Sequence, residues 1–383
     1  MTKDDLETLL VHGSANADEA KGALTAPIFQ TVTFRQPEIG VEIPFDYSRA
    51  ANPTRTVLER QIALLEEGAA GFAFASGMAA MTAVLMLLDK GGRVLIPLDL
   101  YGGTYRLLDG YFKNFGLSWR IADTTDAASL EKELSPDVRA VLLETPTNPL
   151  LRVSDIAEVS RAAHEHGALV IADNTFLSPY FQRPLPLGAD IVVHSATKYL
   201  GGHNDVLSGL VVIKDGRLAE RFLEIQKSTG GVLSPFDSYL LLRGIKTLGI
   251  RLEKETENAT AIARWLSGRS GVDRVYYPGL ESDPGYAILK KQATGAGALL
   301  SFDLGKAHSV GKFFAALEII TPAESLGAVE SLACHPATMS HASIPPDMRA
   351  KMGISDRLVR LAVGIEGINA LIADLDRAFD ASM

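Results

Sequence analysis

The sequence predicts an α/β fold in which a mostly parallel sheet is covered by helices on both faces. Short apolar runs at residues 93–96, 138–143, 169–172, 191–193 and 210–213 are rich in β-branched residues or leucine and too short to be helices. Apart from Arg93 and Arg139 they are apolar and do not alternate, the pattern of a sheet buried on both faces. Segments with helical period lie between them, such as 156–166, opened by Ser154-Asp155 as an N-cap and closed by Gly167. A chain of 383 residues that is 47% hydrophobic can bury a large core, and its length suits two or three domains.

In chain order, residues 1–50 lack such periodicity and carry Pro27, Pro37, Pro44 and Gly40, so they read as an extended N-terminal arm. Phe72-Ala73-Phe74 followed by Ser76-Gly77 reads as a short strand turning into a helix over 78–88. Residues 68–88 hold no charge and, at roughly 20 residues, are long enough for a bilayer. Their Ala and Gly content and the internal Ser-Gly turn favour strand and helix instead. The main α/β domain is expected over 51–235. Beyond Pro235 a helical stretch over 236–266, with only Gly244 and Gly249 as weak breaks, leads to a region with its own strands, such as 298–302. This predicts a smaller C-terminal α/β domain over 236–383. No repeats or low-complexity tracts interrupt the chain.

A formal net charge of -9 provides no broad positive field for a nucleic-acid backbone or an anionic membrane, so small-molecule partners are expected. Cys334 is the single cysteine, which excludes a disulfide framework and a cysteine-built zinc site. The start, Met1-Thr2-Lys3-Asp4-Asp5, is acidic where a signal peptide is basic, and no apolar segment with a cleavage site follows. The expected compartment is the cytoplasm.

Ligands of parallel α/β sheets bind beyond the carboxyl ends of the strands, so polar residues ending the apolar runs are the first candidates. Glu144, Asp173 and the group Ser195, Thr197 and Lys198 stand there. A lysine after a strand is more often a solvated surface group. Beside a buried sheet it must be neutral, paired or covalently bonded, which suits Schiff-base chemistry. Asp173 favours the second reading, because a carboxylate ending a neighbouring strand can keep a pyridoxal ring nitrogen protonated. By itself, with Asn174-Thr175 after it, Asp173 reads equally well as a cap or turn residue. The cofactor's phosphate needs backbone donors at a helix start, which Gly77 and Met78 after Ser76 supply, with hydroxyls from Ser195 and Thr197. A glycine before a helix is also common for packing alone. Tyr101, in Leu100-Tyr101-Gly102-Gly103, can stack on the ring while its hydroxyl moves protons, although a tyrosine in such a turn is otherwise structural. His164 and His166 do not share a helix face, so no metal site is indicated, and His203 reads as a loop-ordering residue.

Taken together, these segments resemble the trans-sulfuration family of pyridoxal 5'-phosphate enzymes, which includes cystathionine γ-synthase, cystathionine γ- and β-lyases and methionine γ-lyase. The resemblance extends over nearly the whole chain. Its markers are Asp46-Tyr47-Ser48-Arg49 with Asn52-Pro53-Thr54, Ser76-Gly77-Met78-Ala79-Ala80, Tyr101-Gly102-Gly103, Glu144-Thr145-Pro146-Thr147-Asn148-Pro149, Asp173-Asn174-Thr175 and Ser195-Ala196-Thr197-Lys198-Tyr199. It implies the aminotransferase-like type I fold, with Lys198 anchoring the cofactor and shuttling protons, Asp173 on the ring nitrogen and Tyr101 stacking. It further implies that Tyr47 and Arg49 reach the phosphate of a neighbouring subunit's cofactor, and that Asn148, Ser325 and Arg360 hold the substrate, Arg360 forked onto its α-carboxylate. Active sites then lie at a dimer interface, within a tetramer of two such dimers, and the arm lies on a partner.

The same resemblance bears on the reaction. Methionine γ-lyases carry a cysteine where this chain has Gly103. Glu324 and Asp46 are acidic where γ-synthases and γ-lyases tend to be acidic, and both suit the distal ammonium of cystathionine or cysteine. The segments 198–205 and 232–237 look most like bacterial γ-synthases, whereas 276–279 through 294–298 are shared with lyases. The expectation is therefore γ-replacement on an O-acylhomoserine by cysteine, with cystathionine γ- or β-lyase or O-acetylhomoserine sulfhydrylase activity as the alternative. An aminotransferase or a non-catalytic binding module fits less well, since neither calls for all of these motifs together.

Overall fold

The computed structural model describes residues 1–13, 22–342 and 344–383. Its larger sheet has seven strands: β1 (Ala70–Phe74), β2 (Arg93–Ile96), β3 (Ser118–Ile121), β4 (Val138–Glu144), β5 (Leu169–Asp173), β6 (Ile191–His194) and β7 (Gly209–Ile213). They lie in the order β1-β7-β6-β5-β4-β2-β3. The pairings from β3 through β6 are parallel, and β7 runs antiparallel to both of its neighbours. Side chains alternate across a strand, so each apolar run feeds two cores. Val141, Leu143, Val170, Ala172 and Val192 pack in one buried cluster, and Ala140, Leu142, Ile171, Ile191 and Val193 in another. This double burial is the reason these runs carry no polar alternation.

Residues 68–88 form β1 and the helix Gly77–Leu85, whose N-cap Ser76 accepts from the Ala79 amide. Among the described residues no helix is long and apolar enough to cross a membrane. The helix Ile156–Glu165 starts at Asp155, whose carboxylate accepts from the Ala157 and Glu158 amides.

The second sheet is built from β8 (Val272–Tyr276), β9 (Leu299–Leu304), β10 (Thr321–Pro322), β11 (Leu332–Cys334) and β12 (Leu358–Ala362), ordered β10-β11-β12-β9-β8. Of these, the apolar-run criterion detects only β9. β10 and β11 are too short to show a pattern, and β8 is interrupted by exposed Asp273 and Arg274. β12 is wholly buried yet has Arg360 at its centre, which masks it as an apolar run. Leu300, Phe302 and Leu361 of this sheet join the same core as Val141 and Leu143, so the two sheets are packed together.

Two expectations need correction. The arm over 1–50 is not extended at its start, because Lys3–His12 is a helix closed by a capping box between Thr2 and Asp5. Leu6 and Leu10 are buried from that helix, and Gln61 donates to the Leu9 carbonyl. Residues 14–21 of the arm lie outside the described residues. The helical stretch over 236–266 is two helices, Pro235–Ile245 and Leu248–Ser267. The Gly244 carbonyl accepts from the Thr247 amide three residues on, and also from the Thr247 hydroxyl and the Arg251 guanidinium, so the first helix ends in a tightened turn that side chains reinforce.

Asn52 joins the arm to the body. Its side-chain oxygen caps the helix Pro53–Leu65 by accepting from the Thr54 amide, and its nitrogen donates to the Phe29 carbonyl and the Ser48 hydroxyl. Asn52→Ala loses the cap and the donor to the Phe29 carbonyl, so we expect a destabilisation of roughly 0.5–2 kcal/mol by urea unfolding. An unchanged midpoint would show that the arm is held elsewhere.

Candidate active site

A cavity of about 530 Å³ opens at the carboxyl ends of β4, β5 and β6. Of the residues selected from the sequence, Gly77, Met78, Tyr101, Asn148, Asp173, Ser195, Thr197, Lys198, Glu324, Ser325 and Arg360 line it. Asp46, Tyr47 and Arg49 do not. They are exposed on the arm, where the Arg49 guanidinium donates to the Lys227 carbonyl and sits 5.4 Å from the centre of the Tyr47 ring.

One end of the cavity is built to receive an anion. The Gly77 and Met78 amides open a helix and have no acceptor among the described residues, as first-turn amides do not. A Cβ on Gly77 would come within 2.9 Å of the Ser195 Cβ, so only glycine allows the β6 turn to lie this close. The Ser195 amide is held by the Thr175 hydroxyl at 2.9 Å. Thr197 contributes less freely than expected, because its hydroxyl donates to the Ser208 carbonyl at 3.1 Å.

Asp173 stands beside this cradle. Its Oδ1 accepts from the Thr175 amide at 3.0 Å and the Thr175 hydroxyl at 2.5 Å, whereas its Oδ2 has no donor among the described residues. Burial pushes this carboxyl up, against the Thr175 hydrogen bonds and the nearby His194. A cation meeting Oδ2 would therefore find a carboxylate already oriented. Thr175 was quoted in the sequence motif without a role, although an Asp two residues before a Thr is a common turn pattern that could have indicated one.

Lys198 donates to the Ser325 hydroxyl at 2.9 Å. Burial first, then the positive charge of Arg360, brings its pKa down to about 8, with Glu324 acting in the other direction. Arg360 is 3% exposed and crosses the floor of the site, donating to the Asn148 side-chain oxygen at 3.0 Å and to the Ser325 carbonyl at 2.9 Å. Ser325 has a φ of 99°, a backbone conformation that non-glycine residues rarely adopt and that persists only where surrounding contacts hold it. The contacts with Lys198 and Arg360 are two such constraints.

Tyr101 is 39% exposed, and burial of its remainder pushes its hydroxyl pKa up. Arg106, on the helix Gly102–Gly110 that follows it, lines the same cavity and opposes that shift. Sequence reasoning overlooked Arg106, since an exposed arginine on a short helix carries no local signal.

The comparisons with known proteins agree with this geometry. Residues 7–380 match the family model described as Cys/Met metabolism PLP-dependent enzyme. Cystathionine gamma-lyase of Bacillus subtilis (strain 168) is 49% identical over 374 residues, which is 98% of this chain and 99% of that protein. Cystathionine beta-lyase of Lactococcus lactis subsp. cremoris (strain MG1363) is 46% identical over 375 residues, 98% of this chain and 99% of that one. The crystal structure of cystathionine gamma synthase from Xanthomonas oryzae pv. oryzae, in complex with aminoacrylate and cysteine, matches with a TM-score of 0.95 at 42% identity, covering 98% of each chain.

Only a neutral amine attacks an aldehyde, so the lowered pKa of Lys198 makes a pH prediction. In cofactor-free protein, borohydride trapping of an aldehyde on Lys198 should rise with pH up to about 8 and level off above it, as read by mass spectrometry of the labelled peptide. A rate still climbing at about pH 10, as for an ordinary lysine, would contradict the assigned environment.

Proposed function

Because the chain belongs to the Cys/Met metabolism PLP-dependent enzyme family, we propose that it works on the Cγ–S bond of cystathionine, in a site completed by a second subunit. The protein is a pyridoxal 5'-phosphate enzyme of carbon–sulfur bond formation or cleavage. The residues fit this cofactor: two unengaged amides and the Ser195 hydroxyl suit its phosphate, and Asp173 Oδ2 suits its ring nitrogen. When bound, the cofactor supplies an electron sink for charge developing on the substrate carbon.

The residues of this chain would do the rest. Lys198 anchors the cofactor and carries protons from Cα and Cβ on Nζ, which a pKa of about 8 keeps ready both to give and to take. The Ser325 hydroxyl orients that amine. Arg360, steadied by Asn148, binds the substrate α-carboxylate and fixes which bond on Cα lies across the ring. Tyr101 covers the ring, and its raised hydroxyl pKa keeps it a proton donor for a departing group.

The observation that carries the choice of substrate is that Glu324 lines the cavity next to Ser325, with Arg106 lining it as well. The distal end of cystathionine bears an ammonium and a carboxylate, and this pair offers one opposite charge for each. Methionine has neither group. A cysteine at position 103 would bring its Cβ within 2.5 Å of the Tyr101 ring, so the thiol expected of a methionine γ-lyase would displace that ring. Two directions at the Cγ–S bond remain for one site, and 46% identity to a cystathionine beta-lyase keeps Cβ–S cleavage, which would give homocysteine, pyruvate and ammonia from cystathionine, as the alternative. The segments around 198–205 and 232–237 favour joining an O-acylhomoserine to cysteine, and 49% identity to a cystathionine gamma-lyase favours cleavage. Purified enzyme given O-acetylhomoserine with cysteine, and separately cystathionine, separates them by the products: cystathionine in the first case, and cysteine, 2-oxobutyrate and ammonia in the second. Turnover of neither substrate would overturn the proposal.

Tyr47, Arg49 and Asp46 are proposed to serve a neighbouring subunit, since they stay outside this chain's own cavity. Exposed apolar groups on the same arm, Ile28, Phe29, Val32 and Val41, support its burial against a second copy. The proposed assembly is a tetramer of two such dimers, in the cytoplasm, with the arm over 1–50, a cofactor domain over 51–235 and a C-terminal domain over 236–383.

Two outcomes are expected. Glu324→Ala should raise KM for cystathionine or cysteine about twofold to fivefold and leave sulfide addition to O-acetylhomoserine unchanged, the range for an exposed charge pair. Equal losses would remove the basis for preferring cystathionine. Inactive Arg49→Ala and Lys198→Ala subunits, mixed and allowed to exchange, should recover a fraction of activity, because one hybrid site contains neither change. Confirmed hybrids with no recovery would mean that each site is made from one chain.

A further inference from the structure

Glu144 ends β4 and takes no part in the reaction described above, although it lines the cavity and is 5% exposed. Its two oxygens are used separately. Oε2 accepts from the Tyr101 amide at 2.9 Å, and Oε1 accepts from the Asn148 amide at 2.7 Å. These amides belong to different turns, one after β2 and the other after β4, forty-seven positions apart in the chain. The strand register also sets Glu144 directly beside Asp173. One side chain thus contacts the turn that carries the aromatic ring and the turn that carries the partner of Arg360, and it lies next to the carboxylate expected to meet the ring nitrogen.

We propose that Glu144 is a positioning residue that holds Tyr101 and Asn148 in a single frame, so that the plane covering the cofactor ring and the group steadying the α-carboxylate clamp keep one fixed separation. The proposal rests on the roles given above to Tyr101 and Asn148. Burial and the neighbouring Asp173 push the Glu144 carboxyl up while the Tyr101 and Asn148 amides favour its ionised form, and a side chain accepting from both amides is confined to one rotamer. Bond selection at Cα depends on the angle between ring plane and carboxylate clamp, and small misplacements of such groups are costly in rate. A second contact joins the same turns, the Thr147 hydroxyl donating to the buried Asp99 carboxylate, but Glu144 is the side chain that takes the backbone amides of Tyr101 and Asn148 themselves. A glutamine has the same size but one acceptor oxygen, and its amide nitrogen would face one of the two backbone donors, donor against donor. With one acceptor oxygen for two amides, Glu144→Gln cannot keep both turns at one fixed separation, so ring plane and carboxylate clamp both lose their common reference.

Two measurements on the resting holoenzyme report the two turns without turnover. Visible circular dichroism of the bound cofactor reports how the ring lies against Tyr101, and titration with glycine, which has no leaving group, reports the carboxylate clamp. Glu144→Gln should change both: the dichroic band at least about twofold, and the glycine dissociation constant about tenfold to a hundredfold, as for loss of one charge-assisted hydrogen bond. Tyr101→Ala should change mainly the band, and Asn148→Ala mainly the glycine affinity. If both controls respond and Glu144→Gln alters neither or only one readout, the frame does not exist. If the controls fail to respond, the roles of Tyr101 and Asn148 fall, and this inference falls with them. Should Glu144→Gln not fold, Glu144→Asp keeps the charge on a shorter stem that reaches only one turn, and the same paired change is expected. If neither variant yields a folded cofactor-free protein, Glu144 is a determinant of the fold and the proposal is overturned.

Discussion

Glu144, Asp173, Lys198 and Arg360 meet in one cavity at the end of a sheet whose two faces are both buried. An ion left without partners in such a place costs several kcal/mol, and that cost dictates how the surrounding chain is arranged. Each group is given a specific answer. Glu144 receives two backbone amides, Asp173 receives the amide and hydroxyl of Thr175, Lys198 is shifted toward its neutral form, and Arg360 donates to Asn148 and to the Ser325 carbonyl. Among the described residues Arg360 Nε remains without a partner, and so do Asp173 Oδ2 and the first amides of the helix Gly77–Leu85. The carboxylate oxygen and the helix amides are the places proposed for a pyridine nitrogen and a phosphate.

The second sheet contributes by supplying the wall that the first cannot. β12 pairs with β9 and β11, which fixes Arg360 between two buried strands, and its guanidinium then reaches across to the turn after β4. That reach ties Ser325 into its unusual backbone conformation and brings its hydroxyl to Lys198. Arg360, the proposed substrate grip, and Lys198, the proposed proton carrier, are therefore parts of one connected set of contacts spanning both sheets. A shift in the packing of the second sheet would be felt at Lys198.

Behind the site lies a fully buried polar network that fixes the ends of β5 and β6. Glu66 meets His194 Nε2 at 2.7 Å and accepts from Asn174 at 3.0 Å, and Gln182 bridges Asn174 to the Thr145 carbonyl. Asn174 immediately follows Asp173 and His194 immediately precedes Ser195, so the spacing of the residues proposed for ring nitrogen and phosphate is inherited from it. Glu66 Oε2 and His194 Nδ1 have no partner among the described residues, so the bonds just named carry the whole connection.

The sequence by itself determined the larger sheet and the identity of its functional strand ends. Runs buried on both faces must be apolar throughout, and residues such as Asp173 and Lys198 stand out because they interrupt that pattern where ligands bind. Family motifs added Arg360, Ser325 and Asn148, which no local periodicity would have marked. Most of the second sheet was not legible: β10 and β11 are too short for a period, and β12 hides an arginine in a buried strand. The helix Lys3–His12 and the break before Leu248 escaped as well, since both depend on contacts with distant segments. Only the tertiary structure decided that Glu144 touches two turns, that Arg106 lines the cavity and that Asp46, Tyr47 and Arg49 stay outside it. Those facts are distances between residues far apart in the chain, and such distances are set by packing, which no stretch of sequence contains.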